Sequence, residues 1–220
     1  MKYKSISFLL ISSFIFFTQS TFAALASTGA VYLSAEPGSW VGGGIGASEV
    51  TWTHGVEGIF NISKNYDEGA TVTFDDGNHW RFEFAAPTYD PITNTNDGNS
   101  LEIGFYDNAT RFPFNSPTRP GLDFSGNGRG NNQLGGWFDV LEIEYGLNND
   151  ILSLAIDFRQ FDESESMSGP STFGSLRINS DIALNYTGEA LSQVPVPASA
   201  WFLGSALLGL FGVKRKFDSN

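Results

Sequence analysis

The chain has 220 residues, a formal net charge of −12 and no cysteine. That length suits one ordinary folded domain, and the lack of cysteine excludes a disulfide framework. So acidic a composition argues against nucleic acid or an anionic membrane surface as partner, because both are held by cationic side chains.

Lys2 and Lys4 precede an apolar run from Ile6 to Phe17, which is followed by a polar stretch and small residues around Thr21-Phe22-Ala23. This order is that of a secretory signal peptide cleaved after Ala23. As a helix the run would extend roughly 18 Å, well short of the roughly 30 Å hydrocarbon core of a bilayer. The expected organisation is therefore a signal peptide over 1–23, a folded domain over 24–190 and a C-terminal sorting segment over 191–220. Between the end segments, residues 24–194 hold 7 Lys and Arg against 23 Asp and Glu, so the exported part is strongly acidic. Without cysteine it depends on core burial, or on bound ions as well, and about 170 residues are enough for a core.

The apolar periodicity of this region is two, the period of strands. In "GATVTFDDGNHWRFEFAAP", Val72 and Phe74 alternate with Thr71 and Thr73, and Trp80, Phe82 and Phe84 alternate with Arg81 and Glu83 across an Asp-Asp-Gly-Asn turn. A β-hairpin is expected there. A second is expected from "WFDVLEIEYG" and "ILSLAIDFRQF", joined by "GLNND", with Leu152, Leu154, Ile156 and Phe158 on one face. Shorter strands are expected at Ala30–Ser34, Val50–Thr53, Gly58–Ile62, Leu101–Tyr106, Ser175–Asn179 and Ile182–Tyr186. No long helical period occurs before Pro197. The pattern predicts an all-β fold, an antiparallel β-sandwich or jelly-roll-like domain, flanked by an N-terminal signal helix and a C-terminal hydrophobic helix.

Several segments, "AEPGSWVGGG" among them, resemble a recurrent secreted bacterial β domain of no established function. Its RFPF motif is matched by Arg111–Phe114, its PGL…SGxGRG loop by Pro120–Gly130 and its GSxRxNS strand by Gly174–Ser180. The resemblance implies cysteines at the positions of Asn131 and Asp162, both absent here, and hence that these two residues lie close together in space.

The chemistry-bearing residues are sparse. His54 and His79 stand without a nucleophile motif or metal-ligand spacing. Glu142 and Glu144 are two apart on a strand and share a face, where one could serve as acid and one as base. The stretch superficially resembles the ExDxxE strand of laminarinase-type glycosidases, but 144 is Glu and the third acid would fall on Leu147. A solvent face opposite Leu141, Ile143 and Tyr145 accounts for both carboxylates. In "DFSGNG", Asp123, Ser125 and Asn127 place oxygens at alternate positions like the start of a calcium loop, although the twelfth position is Leu134 rather than an acid. "FDDGN" and "NTNDGNS" are further oxygen clusters with ordinary turn composition. For glycans the residue type to look for is an exposed aromatic platform. Trp40 precedes three glycines and Trp137 follows two, which marks both for a loop edge, whereas Trp52 and Trp80 belong in the core.

The chain ends on Val194-Pro195-Val196-Pro197-Ala198, an uncharged run to Val213 and the cluster Lys214-Arg215-Lys216. Pro195 and Pro197 enforce an extended hinge. The run of about 16 residues would be roughly 24 Å of helix, and its basic flank would hold it cytoplasmic side in. Gly204, Gly209 and Gly212 would let a second membrane helix approach closely. This tripartite end resembles the VPxPA variant of the PEP-CTERM sorting signal, with Val at 196. The resemblance implies an exosortase-type membrane protease as partner, a Gram-negative host that makes exopolysaccharide, and a membrane helix that anchors the protein only until processing. Three functions stay open on the sequence: a non-enzymatic cell-surface or matrix protein, a carbohydrate-binding module, and a secreted glycan-active enzyme.

Overall fold

The computed structural model describes residues 24–90, 92–96 and 98–191, which form eleven β-strands and one short 3-10 helix, Gly42–Gly44. The expected signal peptide and the expected sorting motif, with its apolar run and basic cluster, lie outside the described residues. Among those described, no helix is long and apolar enough to cross a membrane.

The strands are β1 (Ala24–Leu25), β2 (Gly29–Ala35), β3 (Glu49–Thr53), β4 (Ile59–Lys64), β5 (Ala70–Asp75), β6 (His79–Ala85), β7 (Gly104–Arg111), β8 (Gly121–Gly126), β9 (Leu134–Tyr145), β10 (Ile151–Asp162) and β11 (Ser171–Ile178). They form one sheet in the order β1-β4-β5-β6-β8-β7-β9-β10-β11-β2-β3. The fold is all-β. The sheet doubles back on itself: Phe158 of β10 lies 6.0, 5.6 and 5.9 Å from the rings of Phe82, Phe84 and Phe124 on the opposing strands β6 and β8. Trp52 of β3 stacks on Phe74 of β5 at 4.8 Å and closes the other end of the core. Burying rings of this size supplies most of the driving force, and losing one to Ala costs about 3–5 kcal/mol. Gly174 faces Phe158 so closely that a Cβ there would sit 2.2 Å from the ring, so only glycine lets β11 pass.

Both predicted hairpins form. β5 and β6 pair from Ala70↔Phe84 to Asp75↔His79. Their turn is fixed by Asp75, which accepts the Gly77 N–H at 2.9 Å, and by Asp76, which accepts that of Asn78 at 2.8 Å. β9 and β10 pair over their length with two register shifts. The shift between Ile151 and Ser153 turns Leu152 outward, leaving it 51 % exposed and off the face that Leu154, Ile156 and Phe158 share.

Three expectations need correction. One pair, β7 with β8, is parallel, so the sheet is not wholly antiparallel. The strand expected at Leu101–Tyr106 begins only at Gly104, because Leu101 turns into the core by itself and offers its C=O to the Tyr145 hydroxyl at 2.9 Å. Residues 182–186 form no strand. Their backbone is claimed by side chains instead: the Asn185 N–H donates to Ser175 Oγ at 2.9 Å and Arg177 Nε to the Ala183 C=O at 3.2 Å. Residues 180–190 thus run as a strap across the outer face of β10 and β11.

A polar side chain completes the interior. Gln160 is wholly buried, accepting the Phe124 N–H at 2.7 Å and donating to the Phe124 C=O at 2.8 Å. β7 pairs with β8 only at Gly121 and Leu122, so Gln160 serves the backbone of β8 where that neighbour has left it.

Candidate functional site

Trp40 lies where the sequence places it, on the loop after β2, and is 51 % exposed. The guanidinium of Arg129 stands 4.7 Å over its ring and donates to the Trp40 C=O at 2.8 Å. Asp162, at the end of β10, fixes this corner. Its Oδ2 accepts from Ser39 Oγ at 2.5 Å and the Trp40 N–H at 2.6 Å, and its Oδ1 accepts from Asn131 Nδ2 at 2.7 Å. The proximity of Asn131 and Asp162 that the domain resemblance implied is therefore present. Trp137 is not at a loop edge. It sits within β9, half-buried, between Phe105 at 5.6 Å and Phe173 at 6.2 Å. Trp52 and Trp80 are buried in the core as expected.

Asp123, Ser125 and Asn127 do not form a loop. The first two lie on β8, whose inward residues are Leu122 and Phe124, and Ser125 Oγ donates to Asp123 at 2.9 Å. Asn127 follows in a turn with φ of 50° and donates its amide to the Gly44 C=O at 3.0 Å. Glu83 stands directly opposite Asp123 on β6, held by Arg81 Nη2 at 2.8 Å and Thr71 Oγ1 at 3.1 Å. Burial raises the Asp123 carboxyl to about 6, and the Glu83 charge adds to the rise against the lowering effect of the Ser125 hydroxyl.

The β9 carboxylates and the histidines have structural neighbours. Glu142 accepts from Ser180 Oγ at 2.9 Å, tying the start of the strap to the sheet, while Glu144 is exposed. His54 Nδ1 accepts the Phe60 N–H at 3.1 Å, and His79 is exposed at the start of β6.

A cleft of about 230 Å³ that no sequence motif marks lies on the outer face of β2 and β11, beside the strap. Tyr32 and Phe173 form its floor, Tyr186 of the strap its wall, and Glu36, Glu49 and Arg159 its rim. Tyr32 points outward because its neighbours Val31 and Leu33 fill the core. The Tyr186 ring meets that of Tyr32 at 4.7 Å, and Arg159 donates to the Gly188 C=O at 2.8 Å, so the strap and the sheet shape the cleft together. Burial raises the Tyr32 hydroxyl above its usual value, and the adjacent Glu49 carboxylate raises it further. These residues come from five separated segments, β2, β3, β10, β11 and the strap, and the only signal available in the sequence is the outward parity of Tyr32.

Comparison with protein-family models, with curated proteins and with solved structures yields no match for this chain.

Proposed function

We propose that this is an exported, non-enzymatic protein of the cell surface or extracellular matrix of a Gram-negative bacterium, delivered by an exosortase-type system and associated with exopolysaccharide. The observation that carries this reading is the ordered end of the chain, with Val194–Ala198, an apolar run and Lys214–Lys216 in immediate succession. The described β domain suits a surface role: it is acidic and cysteine-free, and it is a single all-β sheet that doubles back on itself around an aromatic core. The test is mass spectrometry of the mature protein from cells with and without the processing enzyme. Loss of all residues beyond Pro197 only where the enzyme is present is the expected result, and an intact tail on surface-exposed protein overturns the reading.

A further inference from the structure

The outer face of the β7-β9-β10-β11-β2 layer carries an aromatic row that the core does not need. Ring centroids of Phe105, Trp137, Phe173, Tyr32 and Tyr186 follow one another at 5.6, 6.2, 6.5 and 4.7 Å. Strand register sets Arg159 directly between Trp137 and Phe173. Tyr32 and Phe173 are buried and Phe105 and Trp137 half-buried, but at the end of the row Tyr186 keeps 61 % of its surface open beside the cleft.

The groups around that opening are of two kinds. Aromatic rings offer apolar faces, and carboxylates and hydroxyls offer hydrogen bonds at the rim. Glu36 is held in place, its Oε2 accepting the Ser171 N–H at 2.9 Å and its Oε1 lying 3.4 Å from Arg159 Nη1. Each carboxylate oxygen has two lone pairs, so Glu36 retains acceptor capacity toward a ligand. Ser34 and Thr187 add hydroxyls. A pyranose ring has this division of surface, with C–H groups on its faces and hydroxyls around its edge. Two carboxylates against one guanidinium make the rim net negative, which disfavours uronates, sulfated sugars and phosphates. The volume is below the roughly 300–1,000 Å³ of a site for a drug-sized ligand and suits one ring of a longer chain.

We infer that the cleft formed by Tyr32, Phe173, Tyr186, Glu36, Glu49 and Arg159 binds a neutral pyranose unit of a polysaccharide, with Tyr186 as the platform and Glu36 and Glu49 as acceptors for its hydroxyls. This rests on the surface-matrix reading and supplies the matrix component that the domain holds. Trp40, with Arg129 over its ring, and Trp137, packed between two phenylalanines, are not the platforms.

Affinity electrophoresis tests it, with the full chain in a non-glycosidic neutral detergent and native gels cast with dextran, galactomannan, the neutral exopolysaccharide of the source organism, or polygalacturonate. At least one neutral polymer retards the protein and polygalacturonate does not. Tyr186→Ala weakens retardation about tenfold or more, Tyr186→Phe keeps it within about threefold, and Trp40→Ala leaves it unchanged. The inference is overturned if no neutral polymer retards the protein, if Tyr186→Ala migrates as wild type while its thermal melt is unchanged, or if Trp40→Ala abolishes retardation instead. Normal tail processing without retardation sinks the cleft alone, and retardation with an unprocessed tail sinks the sorting reading alone.

Discussion

Asn131 donates its amide to Asp162 across 2.7 Å, joining the turn before β9 to the end of β10 at residues 31 apart in sequence. The other oxygen of Asp162 holds Ser39 and the Trp40 backbone, so one carboxylate gathers three segments. Hydrogen bonds to a charged group contribute about 1.5–3 kcal/mol each when buried and less when solvent reaches them. Asp162→Ala should therefore lower unfolding stability by roughly 2–4 kcal/mol, and amide exchange should accelerate in residues 39–44 before anywhere else. The pair Asn131→Cys and Asp162→Cys should form a disulfide under oxidising conditions. Closing that loop stabilises by roughly 3–4 kcal/mol in the chain-entropy model, partly offset by the lost Asp162 contacts. Thermal melts with and without reductant measure the difference.

Gln160 stands in for a missing strand at Phe124. Gln160→Leu would strand a buried N–H and C=O on β8, each costing about 1–3 kcal/mol. Chemical denaturation should show a loss of roughly 2–5 kcal/mol, whereas Gln160→Glu should destabilise far more above the carboxylate range than at low pH.

Asp123 makes stability depend on pH in an unusual direction. Its carboxyl titrates near 3.8 in the unfolded chain and about 6 in the folded one. Between those values the folded protein keeps a proton that the unfolded chain has released, so this group's contribution falls as pH rises from about 4 to about 6 and is constant above. Asp123→Asn should remove that slope, matching wild type at pH 4 and exceeding it by roughly 2–3 kcal/mol at pH 7.5, at about 1.4 kcal/mol per unit. Denaturant midpoints at the two pH values settle the matter.

The strap depends on a buried charge pair. Arg177 Nη2 lies 2.9 Å from Asp157 Oδ1, and Asn185 Nδ2 donates to the other oxygen at 2.7 Å. Removing one partner leaves an uncompensated buried charge, at about 3–5 kcal/mol. Arg177→Met should cost that much and expose the 183–188 amides to exchange. Arg177→Met with Asp157→Leu should recover a good part of the loss.

How far the sequence reaches depends on how local the signal is. The β5–β6 hairpin was legible because five alternating apolar positions, Val72, Phe74, Trp80, Phe82 and Phe84, flank a turn whose Asp and Gly fix its geometry in place. β8 was hidden: only Leu122 and Phe124 report its inward face, and Asp, Ser, Gly and Asn around them have the composition of a loop. Leu152 was misplaced because a bulge changes parity without leaving a mark on composition. The Asn131–Asp162 proximity was reachable only through resemblance to a domain with cysteines there. The cleft was not reachable, since Tyr32 and Tyr186 meet through the long-range pairing of β2 with β11 and the course of the strap, neither of which has a spacing to read.

That same pairing sets a timetable. β2 lies against β11 from Gly29↔Ile178 to Ala35↔Thr172, with no other neighbour except β3. A chain emerging N-terminus first presents Val31 and Leu33 long before the strand that buries one edge of their layer has appeared. Contacts this distant slow folding and leave β2 and β3 as an open, sticky edge in the meantime. The final closure comes when Arg177 and Asn185 arrive and lock the strap, so the domain reaches its native state only after almost its whole length has been delivered.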